Sequence, residues 1–551
     1  MIDSSDPEFQ PFVRNAWQKT SAAELDALAA ALGDENFARH LAEEMVVRTK
    51  PHEAIPEVYV RYRTVVRDGI AFFLSQVSRK RLIELALDQS SLDPDTDVQK
   101  RLVALAKRFA TLHKLGQLIA RNPNIDPAVR KWLIHLENGA YGTPHDKIAA
   151  QIEDELEKTG GRAQVRIHPA THAEASVAAV VRFDWYPPST RKRVQGVFKI
   201  LKPGIRRQLR EELQILEKTA AFFETHRRRY PFKDFKFLAV FQEVREMLVN
   251  EIDLAAEQTY LEEAAGFLGG MDLIRIPALL PFSSTAMTAM TYLQGPKLTD
   301  AELGREQRRR LAGALFEALV CRPLFGRQAK SLFHGDPHAG NILAVEDPTT
   351  GRLQIGLLDW TLAGHLTRSD RVKTAQLIQA VIKRDLSGIR RVIKSLAIDG
   401  SWENPGQRRR FRRVVLDLIH SSTFEQLSHI RKTFKLLEEL AYEGFVFPAD
   451  LMLFRKAIFS LEGVINDLCP GFDMDAAVMR HMMALISQEF PARIGNLFFP
   501  LSDRSENYPS LISNTELQSL MVHQYIEAVG SSYRRFADYL WAWSGRPPRS
   551  S

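Results

Sequence analysis

The sequence predicts an α+β protein in which a small antiparallel sheet lies between long helical regions. Apolar residues recur at helical spacing through much of residues 1–155, and this spacing returns after Thr299. Near Gly160 the pattern changes, because Ala163–His168 alternates apolar and polar side chains as half-buried strands do. Helix, sheet and helix are therefore expected to follow one another along the chain.

The N-terminal region is predicted to be helical from a capping box that begins at Ser21. Helical spacing continues through Val58–Leu87 and Val98–Ile119. Prolines and asparagines interrupt it at Asn122–Pro127, and a further helix is expected over 127–137.

The sheet is predicted from short β-rich segments separated by turns. They are Ala163–His168, Ala175–Phe183, Val194–Leu201, Ile274–Pro277 and Ser284–Thr291. Thr171–Val177 is expected to be a loop, and two long amphipathic helices, about 206–229 and 235–266, are expected to pack on one side of the sheet. Five segments follow: 1–104, a helical N-terminal region; 105–158, a second helical segment; 159–296, the sheet lobe; 297–470, the helical lobe; 471–551, a helical extension.

Composition narrows the class of protein. In 551 residues, 74 lysines and arginines against 67 acidic residues leave a net charge of +7, which permits an anionic partner but predicts no nucleic-acid binding. Cys321 and Cys469 lack zinc-site spacing and indicate a reducing, cytoplasmic compartment. Met1–Gln10 does not resemble a signal peptide, and no apolar stretch is long enough to span a membrane.

The most informative segment is His334–Asn341, where Asp336 and Asn341 lie five residues apart in a loop between apolar runs. Asp359 follows at the end of a second apolar run. Phosphoryl transfer from ATP requires this set: one carboxylate orients or deprotonates the attacking group, and an asparagine and a second carboxylate hold Mg²⁺. A tight turn is the alternative for Asp336 and Asn341 alone. The added Asp359 favours a kinase-like site.

A lysine inside an apolar strand, Lys199, is the candidate for binding the ATP phosphates. A buried lysine is costly unless an acid pairs with it. The candidate partners are Glu251, Asp253 and Glu257 on the following helical segment, and the sequence does not choose among them. The loop expected to cover the phosphates, Thr171–Val177, has no glycine, so its backbone is expected to approach phosphate less closely.

These residues resemble the motifs of the UbiB/ADCK group of atypical protein-kinase-like proteins (AarF type). The similar segments, in chain order, are Lys114–Gln117 (KxGQ), Ala173–Ser176 (alanine-rich loop), Val197–Leu201 (VAVKV), Glu251–Asp253 (ExD), His334–Asn341 (HxDPHPGN) and Asp359 (metal aspartate). The sequence departs from the family pattern at Ala339, at Glu174 in the alanine loop and at Asp359-Trp-Thr361 in place of Asp-Phe-Gly.

The resemblance implies a two-lobed protein-kinase-like fold with N- and C-terminal helical extensions, and an Mg²⁺-dependent ATPase or phosphotransferase of unknown acceptor. It also implies a role in ubiquinone or isoprenoid-lipid metabolism. The resemblance assigns ATP binding to Lys199, to the loop residues Ala173, Ala175 and Ser176, to the KxGQ residues Lys114 and Gln117 and to the hinge residues Met290 and Tyr292. It assigns catalysis to Asp336 together with Lys199, Glu257 and Glu251. It assigns Mg²⁺ binding to Asn341 and Asp359. Four of these residues, Lys199, Asp336, Asn341 and Asp359, are expected to meet in one cleft.

Two other functions remain open at this point. One is a small-molecule phosphotransferase of the aminoglycoside/choline kinase type, which shares the His-Gly-Asp…Asn pattern but lacks the Lys114–Gln117 motif. The other is a non-catalytic scaffold that binds a nucleotide or a lipid. Basic runs such as 408–413 and the aromatic tail Tyr533–Trp543 would suit peripheral binding to anionic or quinone-pathway lipid on the inner membrane face. The alternative is that the basic runs are ordinary solvated helix faces and that the tail is a helix packed on the protein. A homodimer is also allowed.

Overall fold

The protein was analysed as a computed structural model, which describes residues 21–523 except 56, 58–59, 61–62, 94, 121–142, 191, 231–236, 348, 399–401, 403–404 and 499–502. The helix expected over 127–137 and the tail Tyr533–Trp543 lie outside the described residues. The chain divides into two compact units, residues 1–258 with 279–292, and residues 259–278 with 293–551.

The helices of the first unit come before and after its sheet. They are α1 (Ala22–Leu32), α2 (Asp34–Thr49), α3 (Arg63–Ser75), α4 (Arg79–Ser90), α5 (Val98–Lys107), α6 (Ala110–Ala120), α7 (His145–Lys158), α8 (Ile205–Thr225), α9 (Phe237–Glu251) and α10 (Leu254–Leu268), the last continuing into the second unit. The capping box at Ser21 is present, since its hydroxyl accepts from Glu24 N–H and its own N–H donates to the Glu24 carboxylate. Phe37, Phe73 and Phe109 belong to the apolar core of the N-terminal helices.

A buried carboxylate joins the N-terminal helices to α8. Glu212 on α8 pairs with Arg81 of α4 and accepts hydrogen bonds from the N–H and the hydroxyl of Thr111, at 3.0 and 2.9 Å. Burial raises the pKa of Glu212. Three helices are therefore fixed to one another by polar contacts that have little access to water.

The sheet of the first unit is antiparallel, with strand order β1-β2-β3-β5. Its strands are β1 (Val165–Glu174), β2 (Ala178–Trp185), β3 (Val194–Leu201) and β5 (Met287–Thr291). The expected loop Thr171–Val177 is wrong in part, because β1 continues through register shifts to Glu174, which pairs with Ala179. Only 175–177 connect the two strands.

The core beneath this sheet packs tightly around one glycine. The rings of Phe183 and Phe198 stack with centroids 3.9 Å apart, and a Cβ added at Gly196 would lie 2.3 Å from the Phe183 ring. Ile148 and Ile152 of α7 complete this core. Glycine at position 196 therefore allows the aromatic ring to cover the β3 backbone.

The helical segment after Tyr230 is not the single helix expected over 235–266. It is broken between Glu251 and Leu254, where α9 ends and α10 begins. Asp253 caps the new helix, since its carboxylate accepts from Ala256 N–H at 3.0 Å. The break places Glu251 at the end of one helix and Glu257 near the start of the next.

The second unit contains two small sheets. One has the order β4-β8-β7, with β4 (Ile274–Arg275), β7 (Ile342–Glu346) and β8 (Leu353–Leu357); the other pairs β6 (Lys330–His334) with β9 (Ala363–Thr367). The expectation that Ile274–Pro277 joins the main sheet is wrong, because β4 pairs in parallel with β8, Ile274 opposite Ile355.

Helices form most of the rest of the second unit. They are α11 (Arg305–Phe316), α12 (Arg368–Ile382), α13 (Leu386–Leu396), α14 (Pro405–Ile419), α15 (His429–Tyr442), α16 (Ala449–Leu468) and α17 (Met474–Phe498). Beyond α17, 503–513 is largely non-helical and a further helix occupies 514–523. In the part of the chain that the structure describes, none of the helices combines the length and apolarity needed to cross a membrane.

Candidate active site

Lys199 lies at the centre of the main sheet. It is on β3, opposite Val180 of β2 and Thr288 of β5. Its Nζ is 2.7 Å from Glu257 Oε1, and the two side chains are 16% and 4% exposed. Of the three acids that the sequence offered, Glu257 is thus the one that forms this ion pair.

The helix break explains why Glu257 reaches the sheet. Glu257 lies in the first turn of α10, and its N–H donates to the carbonyl of Asp253 at 3.2 Å. A carboxylate in a first turn is stabilised by the partial positive charge of the helix N-terminus. The same short turn that separates α9 from α10 therefore places the partner of Lys199.

Glu251, at the end of α9, binds a different lysine. Its Oε1 pairs with the ammonium of Lys114 on α6, and its Oε2 accepts from the Ser176 hydroxyl at 3.0 Å. The KxGQ lysine, the ExD glutamate and the β1–β2 connection are therefore linked directly. The side chain of Gln117 lies outside the described part of the structure.

The β1–β2 connection is held at its two ends. Glu174 pairs with Lys202 at 2.8 Å, and the Lys202 N–H donates to the carbonyl of Val177 at 2.9 Å. Ala173 and Ala175 are exposed, and the Ala175 N–H donates to Ala178 at 2.8 Å. Side-chain and backbone bonds thus fix a short connection that has no glycine.

The expected hinge residues lie at the edge strand β5. Met290 pairs with Val197 of β3, and the Tyr292 N–H donates to the carbonyl of Gln195 at 3.0 Å. The guanidinium of Arg182 lies 4.4 Å from the centre of the Tyr292 ring. The first unit ends at Tyr292.

The loop after β6 in the second unit is organised by a buried histidine. His334 Nε2–H donates to the carbonyl of Leu358 at 3.0 Å, and its Nδ1 accepts from the Asp336 N–H at 3.2 Å. Both contacts suit a neutral imidazole, and burial lowers the pKa of His334. His334 also packs against the ring of Trp360, which is 1% exposed.

Asn341 and Asp359 lie at the same end of a hairpin. Ile342 of β7 pairs with Leu357 of β8, and the Leu358 N–H donates to the carbonyl of Asn341 at 2.9 Å. The Asn341 side-chain amide donates to the carbonyl of Asp336 at 3.2 Å, which orients its oxygen as the acceptor. Asp359 is exposed and has a φ of 55°, a left-handed conformation that few non-glycine residues adopt.

The donor set at this hairpin fits a hard divalent cation. An amide oxygen from Asn341 and a carboxylate from Asp359 are ligands that Mg²⁺ prefers, with phosphate and water completing its shell. Among the residues that the structure describes, no group of three or more His, Cys, Asp and Glu side chains could hold a metal ion. Asp359 also accepts from the N–H and the hydroxyl of Thr361, the residue that stands in place of the glycine of the family's Asp-Phe-Gly pattern.

The predicted site residues thus fall into two groups. Lys199, Glu257, Lys114, Glu251 and the β1–β2 connection belong to the first unit. Asp336, Asn341 and Asp359 belong to the second. That the two groups meet in one cleft stays a prediction.

Fold and side chains together define a kinase-like domain, and comparison with known proteins agrees. Residues 135–393 match the model of the ABC1 atypical kinase-like domain. The predicted α+β kinase-like fold and the resemblance to the UbiB/AarF proteins are thereby confirmed.

Three relatives show how far the similarity extends. The chain is 27% identical over 396 residues to the uncharacterized protein sll1770 of Synechocystis, covering 71% of this chain and 64% of that one, just under two thirds. It is 24% identical to the Probable protein kinase UbiB of Xanthomonas oryzae, covering 75% and 73%. It is 26% identical to the AarF domain-containing protein kinase 1 of Xenopus tropicalis, covering 51% and 52%.

Among solved structures, the erythromycin complex of Rv3197 from Mycobacterium tuberculosis is similar at 17% identity. The match has a TM-score of 0.41 and covers 69% of this chain and 93% of that one.

Proposed function

We propose that this protein binds ATP with Mg²⁺ and hydrolyses or transfers its γ-phosphoryl group. The observation that carries the proposal is the largely buried ion pair between Lys199 on the inner strand β3 and Glu257 in the first turn of helix α10. In kinase-like folds a strand lysine held by a helix glutamate binds the α- and β-phosphates. The pairing supports the same role here.

The loop from His334 to Asn341 supports the catalytic half of the proposal. Asp336 would accept the proton of the attacking hydroxyl or water, or orient it. His334 and Asn341 both bond to the backbone of Asp336, which fixes the loop that carries the carboxylate. Asn341 and Asp359 would hold Mg²⁺, which when bound neutralises phosphate charge.

The connection between β1 and β2 would limit how closely the backbone approaches the phosphates. It has no glycine, and Glu174 and Ser176 are tied to Lys202 and Glu251. Binding would therefore depend more on Lys199 than in a kinase whose glycine-rich loop covers the phosphates. Phosphoryl transfer is expected to be slow relative to nucleotide binding.

The test is ATP turnover and ATP affinity measured on the same full-length preparations with Mg²⁺. Asp336→Asn should lower kcat by about 100-fold or more while ATP affinity is retained, which is the usual effect of removing a general base. Asp359→Asn should shift the Mg²⁺ dependence. Asp300→Asn, an exposed turn residue of the same unit, is the matched control and should change neither.

The outcomes separate catalysis from binding. Wild-type turnover by Asp336→Asn would contradict the catalytic assignment. Tight ATP binding without turnover in the wild type would reject phosphoryl transfer and favour a nucleotide-binding scaffold. A role in ubiquinone or isoprenoid-lipid metabolism, which the UbiB relatives suggest, predicts that a quinone-precursor mimic or anionic lipid accelerates turnover.

A further inference from the structure

Helix α17 carries an apolar stripe on its exposed side. The side chains with large exposed fractions are Met479 (49%), Met483 (55%), Phe490 (61%) and Ile494 (41%). Their spacing of four, seven and four residues places them on one face of the helix, and the partly exposed Ile486 fills the gap between them. Elsewhere α17 packs on α11 and α15. Because a helix that is apolar on more than one side is typically buried, this stripe is expected to have a partner.

The chain that follows α17 is bound beside this stripe. The Ser510 hydroxyl donates to the Glu489 carboxylate at 2.8 Å, and the Asn514 side-chain amide donates to the carbonyl of Arg493 at 3.0 Å. Glu489 and Arg493 directly precede two members of the stripe in the sequence. The helix over 514–523 therefore begins next to the exposed apolar face.

The sequence beyond this helix contains a second apolar stripe. Its members are Tyr533, Phe536, Leu540 and Trp543, which lie three, four and three residues apart. This alternation is the pattern of a helix that packs along another helix. The segment lies outside the described residues. As a helix it would extend over about 15 Å, which fits within the stripe of about 22 Å on α17.

The connecting residues are long enough for this segment to reach the stripe. Residues 524–532 separate the described helix from Tyr533, and an extended chain of that length spans about 30 Å. Gly530-Ser-Ser532 within the connection favours a turn of the chain. A segment on a short tether acts at an effective concentration of about a millimolar. A contact that would be weak between separate molecules is therefore enough to hold it.

Two other occupants fit the stripe less well. A standard interface with a second copy buries about 800 Å² on each partner, far more than four side chains that are each about half exposed provide. An anionic membrane surface favours helices with several basic residues beside the apolar face. Among the described residues of α17, Arg480 alone is an exposed basic residue.

We propose that the stripe on α17 is the docking site of Tyr533–Trp543 of the same chain, with the apolar faces of the two segments in contact. The tail then packs on the helical lobe, which is one of the two roles that its sequence allows. The contact uses none of the residues proposed to bind ATP or Mg²⁺. It is therefore separate from the proposed function and does not depend on it.

Cysteine cross-linking in the full-length chain tests the docking. Met483→Cys and Leu540→Cys are combined with Cys469→Ser, so that the buried Cys321 is the remaining native cysteine. A short bismaleimide should join the two new cysteines within one chain, and peptide mapping identifies the link. Because any tethered tail meets α17 occasionally, the rate of cross-linking is compared among variants.

Two variants break the contact, and a third is the matched control. Phe490→Glu on α17 and Phe536→Glu in the tail should each slow cross-linking about tenfold, because each puts a charge where an aromatic side chain is buried by docking. Gln488→Glu, at an exposed position of α17 outside the stripe, adds the same charge and should have no effect. Phe536→Glu leaves α17 unchanged and decides the question if Phe490→Glu does not fold.

Each outcome decides the proposal. Slower cross-linking in the two glutamate variants but not in the control supports the docking. An unchanged rate in Phe536→Glu would overturn it, because the tail would then meet α17 only by random encounter. Links between two chains, recognised by their doubled mass, would overturn it in favour of a second copy. Links that form only when vesicles of anionic phospholipid are present would overturn it in favour of a membrane surface.

Discussion

Removing the acid that pairs with Lys199 is expected to destabilise the main sheet. Glu257→Gln keeps the side-chain volume but removes the carboxylate that lies 2.7 Å from the Lys199 ammonium, whose side chain is only 16% exposed. Breaking a buried ion pair by removing one partner costs about 3–5 kcal/mol, because a buried charge is left uncompensated. Since the lysine keeps some access to water, we expect the lower end, about 3 kcal/mol.

Replacing both partners separates stability from function. The double variant Lys199→Met with Glu257→Leu removes both charges and fills the same space, so it should cost about 1 kcal/mol or less. ATP turnover should nevertheless stay lost, because no ammonium remains to bind the phosphates. Stability would thus return without activity.

The assay is hydrogen exchange of the β3 and β5 amides, which reports this sheet separately from the second unit. A loss of about 3 kcal/mol corresponds to roughly 100-fold less protection in Glu257→Gln. Glu153→Gln, which breaks the exposed pair with Arg162 in the same unit, should change protection little. Unchanged protection in Glu257→Gln, or turnover in the double variant, would refute the reasoning.

Two further predictions concern the second unit. Burial lowers the pKa of His334, so the unfolded chain gains a proton below about pH 6.5 that the folded chain resists. The neutral His334 therefore contributes its full stability above that pH, and this contribution is lost as the pH falls. The thermal unfolding temperature should fall less between pH 7 and pH 5 in His334→Asn than in the wild type. An equal dependence of the unfolding temperature on pH in the two proteins would contradict this. Arg493→Ala should cost about 3 kcal/mol in denaturant unfolding, because it strands the carboxylate of Glu489, which is 2% exposed and bonds Arg493 at 2.6 Å. Arg39→Ala, from an exposed pair of the same i,i+4 spacing, should cost about 0.5 kcal/mol or less, and equal losses would refute the burial argument.

The sequence located the lysine and its candidate partners but not the pairing. Positions 251 and 257 are six residues apart, so on one continuous helix they face different directions. Only the break at Asp253 brings Glu257 to Lys199 and leaves Glu251 for Lys114. The signal was present, because an aspartate that precedes Leu-Ala-Ala-Glu is a good N-cap, but the apolar spacing on both sides favoured one helix.

The full length of β1 was hidden by its irregularity. Its register shifts between Ile167 and Thr171, a stretch that contains Pro169, and again before Ala173. Proline cannot donate to a ladder and is tolerated on an edge strand, which β1 is. The shifts interrupt the two-residue alternation on which strand prediction depends.

The pairing of strands that are distant in the sequence was the other feature that the local sequence pattern could not predict. Ile274 pairs with Ile355, and two residues of strand give no indication of a partner so distant in sequence. By contrast, the hairpin that brings Asn341 and Asp359 to the same end joins two strands that are close in the sequence. Local pattern therefore says more about strands whose partners are near in the sequence than about strands whose partners are distant.

The glycine-free β1–β2 connection shows how the departures from an ordinary kinase pattern combine. Without glycine the backbone has less freedom to close over phosphate, yet Glu174 and Ser176 bind it to Lys202 and Glu251. Glu251 also binds Lys114, so the KxGQ helix and the connection share one carboxylate. A change at Lys114 would therefore act on the connection through Glu251, whereas Lys199 has a separate glutamate. If the proposed function holds, the residues that cover the nucleotide and the lysine that binds its phosphates depend on different acids.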